Sequence, residues 1–513
     1  MDRENIREQV LHAYPQGPDA VATLVVTLVS ELSEQVANLM SRVAALETAN
    51  ATLRTEVATL RAANAVLKEE NATLQARFHT DSHNSSKPPS SDGYHKPSPK
   101  SQRTSSGRKT GGQPGHPGHR LSLIDDPDEI VVHAPPRCPT CHEAFTPLTL
   151  RRQERRQIVD IPPVRRRVIE HQVETHRCSR CGTEAHGEFP AEMRGPIQYG
   201  PGVAAIAVYL NQEQLLPSER TCAVLGDLFA CPIAEGTLES MVANCHEQLA
   251  ETEAQIKAGV THADIVHFDE TGVHLQGKTS WLHVACTPVL TFYASHAKRG
   301  RDAFAAIDVL PHLTGRAVHD GWESYQTYAQ VTHALCNAHH LRELTFVEEE
   351  LGQPWAKDLK DVLRAMKEAV DQAKSQGQEA VEEGRKCDLR LRYDTVLSVG
   401  EHANPLPEMT GKRGRPKRGK ARSLVERLQK RKAQVLAFLE DFTVPFDNNQ
   451  AERDLRMVKV QQKISGCFRT TTGAERFCRI RGYVSTMRKQ GLPIFSALAQ
   501  AISGNPPLPA FAA

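Results

Sequence analysis

Leucine recurs at every seventh position from residue 32 to residue 74, as Leu32, Leu39, Leu46, Leu53, Leu60, Leu67 and Leu74. Taken as heptad position d, these leave Val36, Val43, Asn50, Val57, Asn64 and Asn71 at position a. Branched Val at a with Leu at d favours two parallel strands, and Asn at a fixes their register. The flanking charges agree, since Arg42 meets Glu47 across such a coil and Glu56 meets Arg61. The pattern predicts a dimerising coiled coil over residues 1–80, and with it a homodimer. It stops before Asp81. Residues 81–125 are rich in Ser, Pro, Gly and basic side chains, which bury too little apolar surface to fold alone. They read as a basic flexible linker, suited to lying along phosphates.

Residues 158–164 and 168–173 alternate in the manner of strands and are expected to form a hairpin. Residues 195–260 look helical. Ser218 is expected to cap a helix through Phe229, Pro232 breaks it, and a second helix runs from Glu235 to about Leu249. Two short helices about a tight turn make a candidate helix-turn-helix, although plain helical hairpins share the pattern. From Asp264 the period changes. Residues 263–271, 280–287 and 289–295 read as strands, 302–310 as a helix and 316–320 as a fourth strand. Three strands, a helix and a strand open a ribonuclease-H-like fold, and another mixed α/β sheet gives similar local patterns.

The 513 residues allow about three domains at roughly 150 residues each. With 39% hydrophobic and 24% charged residues, a sizeable core is affordable and wholesale disorder is excluded. The net charge of +2 hides segregation. Residues 87–120 carry seven basic and one acidic side chain, 151–167 seven and two, and 412–432 eleven and one. Such clustering marks a candidate polyanion binder. The first ten residues are charged, and the apolar run 21–29 is too short to span a bilayer, so no secretory or membrane segment is expected. Among twelve cysteines, Cys138 and Cys141, then Cys178 and Cys181, stand at metal spacing. Four thiolates make a closed tetrahedral site, so a structural Zn²⁺ ribbon in a reducing cytoplasm is expected, with His142 and His176 as weaker candidate ligands.

Acidic residues suggest the chemistry. Asp269 is expected at the end of the first strand and Asp320 at the end of the fourth, neighbours in such a sheet. In residues 446–457, Asn448 or Asn449 caps a helix that carries Glu452 in its first turn. Each acid alone is an ordinary turn or helix-start residue. Together they form a hard-oxygen site for two Mg²⁺ or Mn²⁺ ions acting on one phosphorus.

With these residues in view, the chain resembles the transposase of the insertion sequence 66 family along nearly its whole length. The matching segments are NSSKPPSSDG, GGQPGHPGHR, the two Cys pairs, HFDET, HDGW, CNAHHLREL and DNNQAERDLRMVKVQQKISGCFRT. The resemblance implies a DDE transposase with Asp269, Asp320 and Glu452 as metal-binding catalytic acids. It also implies a helical insertion between Asp320 and Glu452, and two small accessory proteins encoded alongside. Cys336 and His339 match a Cys-x-x-His motif of insertion-bearing transposases, with zinc binding and plain packing both open as its role. Trp322 is a candidate for stacking on an unpaired base, or a core residue. Arg413, Arg415, Lys417 and Arg418 lie in an AT-hook-like loop suited to a narrow minor groove. Arg453, Arg456 and Lys459, followed by Lys463, Arg469, Arg476 and Arg479, extend a positive face for DNA backbone.

The expected fold class is multidomain α+β. It comprises the coiled coil (1–80), linker (81–125), zinc ribbon (126–194) and helical DNA-binding region (195–260). A ribonuclease-H-like α/β catalytic core (261–345 and 441–490), a helical insertion (346–440) and a C-terminal tail (491–513) complete it. The expected function is metal-dependent cleavage at transposon ends and strand transfer into double-stranded target DNA, in the bacterial cytoplasm near the nucleoid. A non-catalytic DNA-binding regulator, or a metal-dependent nuclease without strand transfer, is the alternative.

Overall fold

Two helices open the chain, α1 (Arg3–Ala13) and α2 (Pro18–Phe78). The computed structural model describes residues 3–78, 80, 83–85, 122–147, 150–162, 164–193, 195–406 and 419–511. It divides into two units, Met1–Ser82 with Glu349–Leu351, and His83–Glu348 with Gly352–Ala513. Helix α2 runs 61 residues without interruption, about 90 Å at 1.5 Å per residue. Its seven heptad leucines are 52–68% exposed, an apolar stripe that no described residue of the single chain covers. By length and composition, Pro18–Ala65 also suffices to cross a membrane, which the short run at 21–29 does not. Asp19, Glu31, Glu34, Arg42, Glu47, Arg54, Glu56 and Arg61 are spread through that segment, a charge load suited to a coil surface and not to lipid.

The second unit starts with a two-stranded ribbon, β1 (Thr175–Arg177) antiparallel to β2 (Glu184–His186). Helices α3 (Pro201–Val208), α4 (Ser218–Phe229), α5 (Glu235–Gln248) and α6 (Ala250–Thr261) lead into the sheet. Its strands are β3 (Ile265–Leu275), β4 (Lys278–Cys286) and β5 (Thr291–His296); after α7 (Arg301–Ile307) come β6 (Arg316–His319) and β7 (Thr332–Leu335). Then follow α8 (Asn337–Glu349), α9 (Pro354–Ser375), α10 (Glu383–Ala403), α11 (Lys420–Lys430), α12 (Lys432–Val435) and α13 (Ala437–Glu440). The chain returns to the sheet with α14 (Asn449–Ser465), α15 (Thr471–Lys489) and α16 (Ile494–Ile502).

The sheet order is β5-β4-β3-β6-β7, with β3, β4 and β5 antiparallel and β6 and β7 parallel to β3. This mixed sheet with helices on both faces is consistent with a ribonuclease-H-like core. Strand alternation divides the burial. Val266 and Phe268 of β3 face a core with Ile256 and Val260 of α6 and Phe304 of α7. Val273, Leu282 and Val284 face the other way, against Ala451, Leu455 and Val458 of α14 and Phe477 of α15. A third core joins α3–α5 to α15 and α16 through Leu238, Val242, Ile480, Val484 and Leu498.

Several expectations change here. Residues 158–164 and 168–173 are not strands among their described residues, and Ile158 is 96% and Val168 80% exposed. The hairpin forms around the second Cys pair, where the turn folds the chain back on itself. Pro217 takes the cap position of α4, and Ser218 is the first helical residue with no side-chain cap bond. Helix α5 buries Leu238, Val242 and Cys245 and exposes Glu235, Glu239 and Glu247 with no Lys or Arg. The exposed face of α5 is therefore acidic, whereas α4 exposes Arg220. The segment read as a tail includes α16, whose Ala497, Leu498 and Ala501 are buried. Arg413, Arg415, Lys417 and Arg418 lie outside the described residues.

Candidate active site

The register of the parallel pair places the first two acids. Ile265 lies opposite Arg316, Val266 opposite Ala317 and His267 opposite Val318. Carried two residues further, Asp269 stands beside Asp320 on the same face. Asp269 is not at a strand end as expected: β3 continues to Leu275, while β6 stops at His319. The sheet therefore steps down next to Asp269, and Asp320 sits on the step. One oxygen of Asp320 accepts the Trp322 N–H at 2.8 Å, and one oxygen of Asp269 accepts the Glu270 N–H at 2.8 Å.

Glu452 comes from the first turn of α14. Asn448 does not cap this helix with its side chain; its backbone carbonyl accepts from Glu452 N, and its buried amide works elsewhere. Its Nδ2 donates to the Phe268 carbonyl at 2.8 Å and its Oδ1 lies 2.8 Å from His267 Nδ1. Its backbone N–H donates to Cys336 Sγ at 3.1 Å. One side chain thus ties the start of α14 to β3 two residues before Asp269, while its backbone reaches the residue before α8. Expectation treated Asn448 only as a helix cap, and missed this role.

The acids crowd one another. Burial pushes the Asp269 carboxyl well above the usual carboxylate range, and the charges of Glu270, Asp320 and Glu452 push it further. An all-oxygen set under such repulsion is the donor chemistry that hard divalent cations relieve, so the residues fit magnesium or manganese. The Glu452 carboxylate is turned toward α8: Arg342 donates to it at 3.1 Å, and His339 Nε2 lies 3.8 Å away. Cys336, His339 and Glu452 bring their ligand atoms within 4.8 Å of one another, the one such trio among the described residues. Cys336 is fully buried, which pushes its thiol up to about 12. Positions 336, 339 and 342 follow helical spacing, a signal from which Arg342 was legible.

The paired cysteines form two matching knuckles. Cys138 N–H donates to the Glu143 carbonyl and Cys178 N–H to that of Thr183, both at 2.8 Å. Each turn ends on a left-handed residue, His142 at φ +56° and Gly182 at φ +75°. Hydrogen bonds from neighbouring groups lower the thiols of Cys138 and Cys181. Such thiols fit zinc. The two pairs are not drawn into one cluster within 4.8 Å.

The expected positive face is only partly present. Arg453, Arg456, Lys463 and Arg469 are exposed. Lys459 instead donates to the Gly272 carbonyl at 2.8 Å, and burial lowers its ammonium. Arg476 pairs with Glu239 and Arg479 with Glu253, bracing α15 against α5 and α6. Trp322 packs edge-on against Phe304 and Tyr325, and Arg299 covers its ring at 4.1 Å. The side chain is half-buried, packed against the core.

Two Cys-x-x-Cys knuckles thus precede, in the chain, a mixed sheet that is consistent with a ribonuclease-H-like core. Residues 196–476, more than half of the chain, match the family described as Transposase IS66 family, and 135–182 match the zinc-finger binding domain of transposase IS66. The chain belongs to the IS66 transposase family. Residues 26–122 match a family of unknown function, DUF6444. No curated protein matches the chain.

Proposed function

We propose that this chain cuts DNA at the ends of a transposable element and joins the freed 3′ hydroxyls to target DNA. Asp269, Asp320 and Glu452 are the acids that hold two magnesium or manganese ions. The observation that carries this reading is the β3–β6 register, which extends to put Asp269 beside Asp320. When bound, such ions activate the attacking oxygen and stabilise the leaving one at a single phosphorus. The chain's own part is placement. Asp320 is oriented by the Trp322 N–H, and Glu452 by Asn448 through α14. Arg342 holds Glu452 in place from α8, with His339 beside it. Hydrolysis followed by in-line transesterification needs no covalent protein intermediate, so no Tyr or Ser nucleophile is assigned.

The coiled coil pairs two chains for two ends, and the zinc ribbon with the basic stretches near residues 87–120 and 412–432 grips DNA. Cys336 and His339 shape the α8 wall of the site. Two small accessory proteins encoded alongside assist, and the work is done in the cytoplasm where the DNA is. The test is to map new 3′ ends on DNA carrying the native flanks of this gene, with Mg²⁺ or Mn²⁺ and the accessory proteins present. Cuts at the inverted-repeat borders and joined products are expected for wild type. Asp320→Asn is expected to bind the ends and cut at least about 10³-fold more slowly, since a metal ligand is lost. Nicks without joined products favour a plain nuclease, and specific binding without cuts favours a regulator.

A further inference from the structure

Arg299 lies between β5 and α7, and the site as described so far gives it no task. Its Nε donates to Glu270 Oε1 at 2.7 Å, and Glu270 is only 1% exposed at its side chain. The other Glu270 oxygen accepts the Tyr325 hydroxyl at 2.6 Å. The guanidinium carbon sits 4.1 Å from the Trp322 ring centre and 4.9 Å from that of Trp281. The next residue, Gly300, has φ +95°, and a Cβ there would meet the Trp322 ring at 2.8 Å. The arginine is therefore immobilised by a buried carboxylate, two indoles and a backbone turn that only glycine accommodates.

What this leaves free is informative. Tyr325 already donates to the second Glu270 oxygen, so Arg299 meets this carboxylate through Nε alone and not through a bidentate fork. Nη2 lies 3.9 Å from Asp320 Oδ2, beyond hydrogen-bond length, and the side chain keeps 32% exposure. Neither terminal nitrogen hydrogen-bonds to a described residue. A rigid guanidinium with open donors thus stands beside Asp320, at the step of the sheet where Asp269 and Asp320 meet. Its fork geometry matches phosphate oxygens, and its placement costs nothing further when substrate arrives.

We propose that Arg299 is a catalytic residue of this site, donating to a non-bridging oxygen of the scissile DNA phosphate as negative charge builds there. The inference rests on the proposed cleavage reaction. Removing Arg299 alone would strand Glu270 as an unpaired buried charge, so the comparison is E270Q against E270Q/R299Q. Both are assayed on end DNA with an all-oxygen scissile phosphate and with each phosphorothioate diastereomer, in Mg²⁺ and in Mn²⁺. The double variant is expected to cut the all-oxygen substrate about 100-fold more slowly than E270Q, the scale of a lost transition-state donor, with unchanged end binding and melting temperature. In E270Q, one diastereomer should show a slowing that Mn²⁺ does not relieve, and that slowing should shrink in E270Q/R299Q. Equal rates, or the same sulfur effects in both proteins, would overturn the assignment. Should wild type fail to cut native ends at all, the cleavage reading itself falls, and this inference with it.

Discussion

His283, His333 and His340 are kept neutral inside the sheet domain, each lowered chiefly by burial. His283 falls to about 4, with the charges of His296 and Arg299 adding to the effect. In the unfolded chain each titrates near its ordinary value of about 6.5. The unfolded state therefore binds more protons below that value, and stability present at neutral pH is lost as pH falls from about 6.5 toward about 4. His283 alone accounts for up to about 3 kcal/mol at the acid end of that window. Trp281 of β4 and Trp322, packed against the sheet's core, lie in this domain, while Trp355 lies in α9, so emission from the first two reports its unfolding. Buried carboxyls such as Asp269 and Glu270 act in the opposite sense in this window, so the test is a difference. The thermal midpoint read this way is expected to fall less between pH 7.5 and pH 5 in His283→Gln than in wild type, and identical slopes would contradict it. Asn448 marks the opposite case, an uncharged side chain with every polar group engaged, and the geometry around Glu452 depends on it.

Elements carry this precision only where their ends are set by packing. The strand cores of β3, β4 and β6 were legible because apolar residues run through them, and Glu452 was legible because Asn and Asp precede a helical period. The end of β3 was not. His274 and Gly272 look like strand terminators, yet the strand runs on because β4 pairs with it as far as Lys278, a contact that local pattern does not encode. Strand β7, four residues long, gave too short a run to read. Glu270 and Arg299 were hidden for a related reason: their pairing joins β3 to a loop 29 residues away. In the ribbon the alternating apolar residues misled: they point to a hairpin between the Cys pairs, whereas it forms around the second pair. That element has its own test. Cys178→Ser is expected to lower bound zinc by about one ion per chain and disorder β1 and β2, because a structural site contributes folding energy outright. Tryptophan emission from the sheet domain should stay unchanged. Unaltered zinc content would remove these cysteines from the ligand set.

At the scale of the whole chain, the proposed end joining calls for two copies to act together, since a transposable element has two ends. The molecule offers one obvious means. Helix α2 presents seven leucines in register with Val36, Val43 and Val57, every one of them exposed in the single chain. An isolated helix with that stripe is an incomplete object, because burying each Leu contributes about 1.5–3 kcal/mol. In the proposed two-stranded coil, Asn50, Asn64 and Asn71 at position a would give up some of this stability and disfavour staggered or higher assemblies. Replacing Leu46 and Leu53 with Asp removes two adjacent core layers and adds facing like charges. The loss is about 3–6 kcal/mol per chain before repulsion, enough to dissociate a micromolar-range dimer. Sedimentation of the full chain is expected to change from dimer to monomer, with the sheet domain still folded by its tryptophan emission. On DNA carrying both ends, the variant should still nick single ends while paired-end joined products disappear. A dimer that survives both substitutions would move the interface elsewhere. Loss of nicking together with joining would mean that the active site, and not synapsis alone, depends on the second chain.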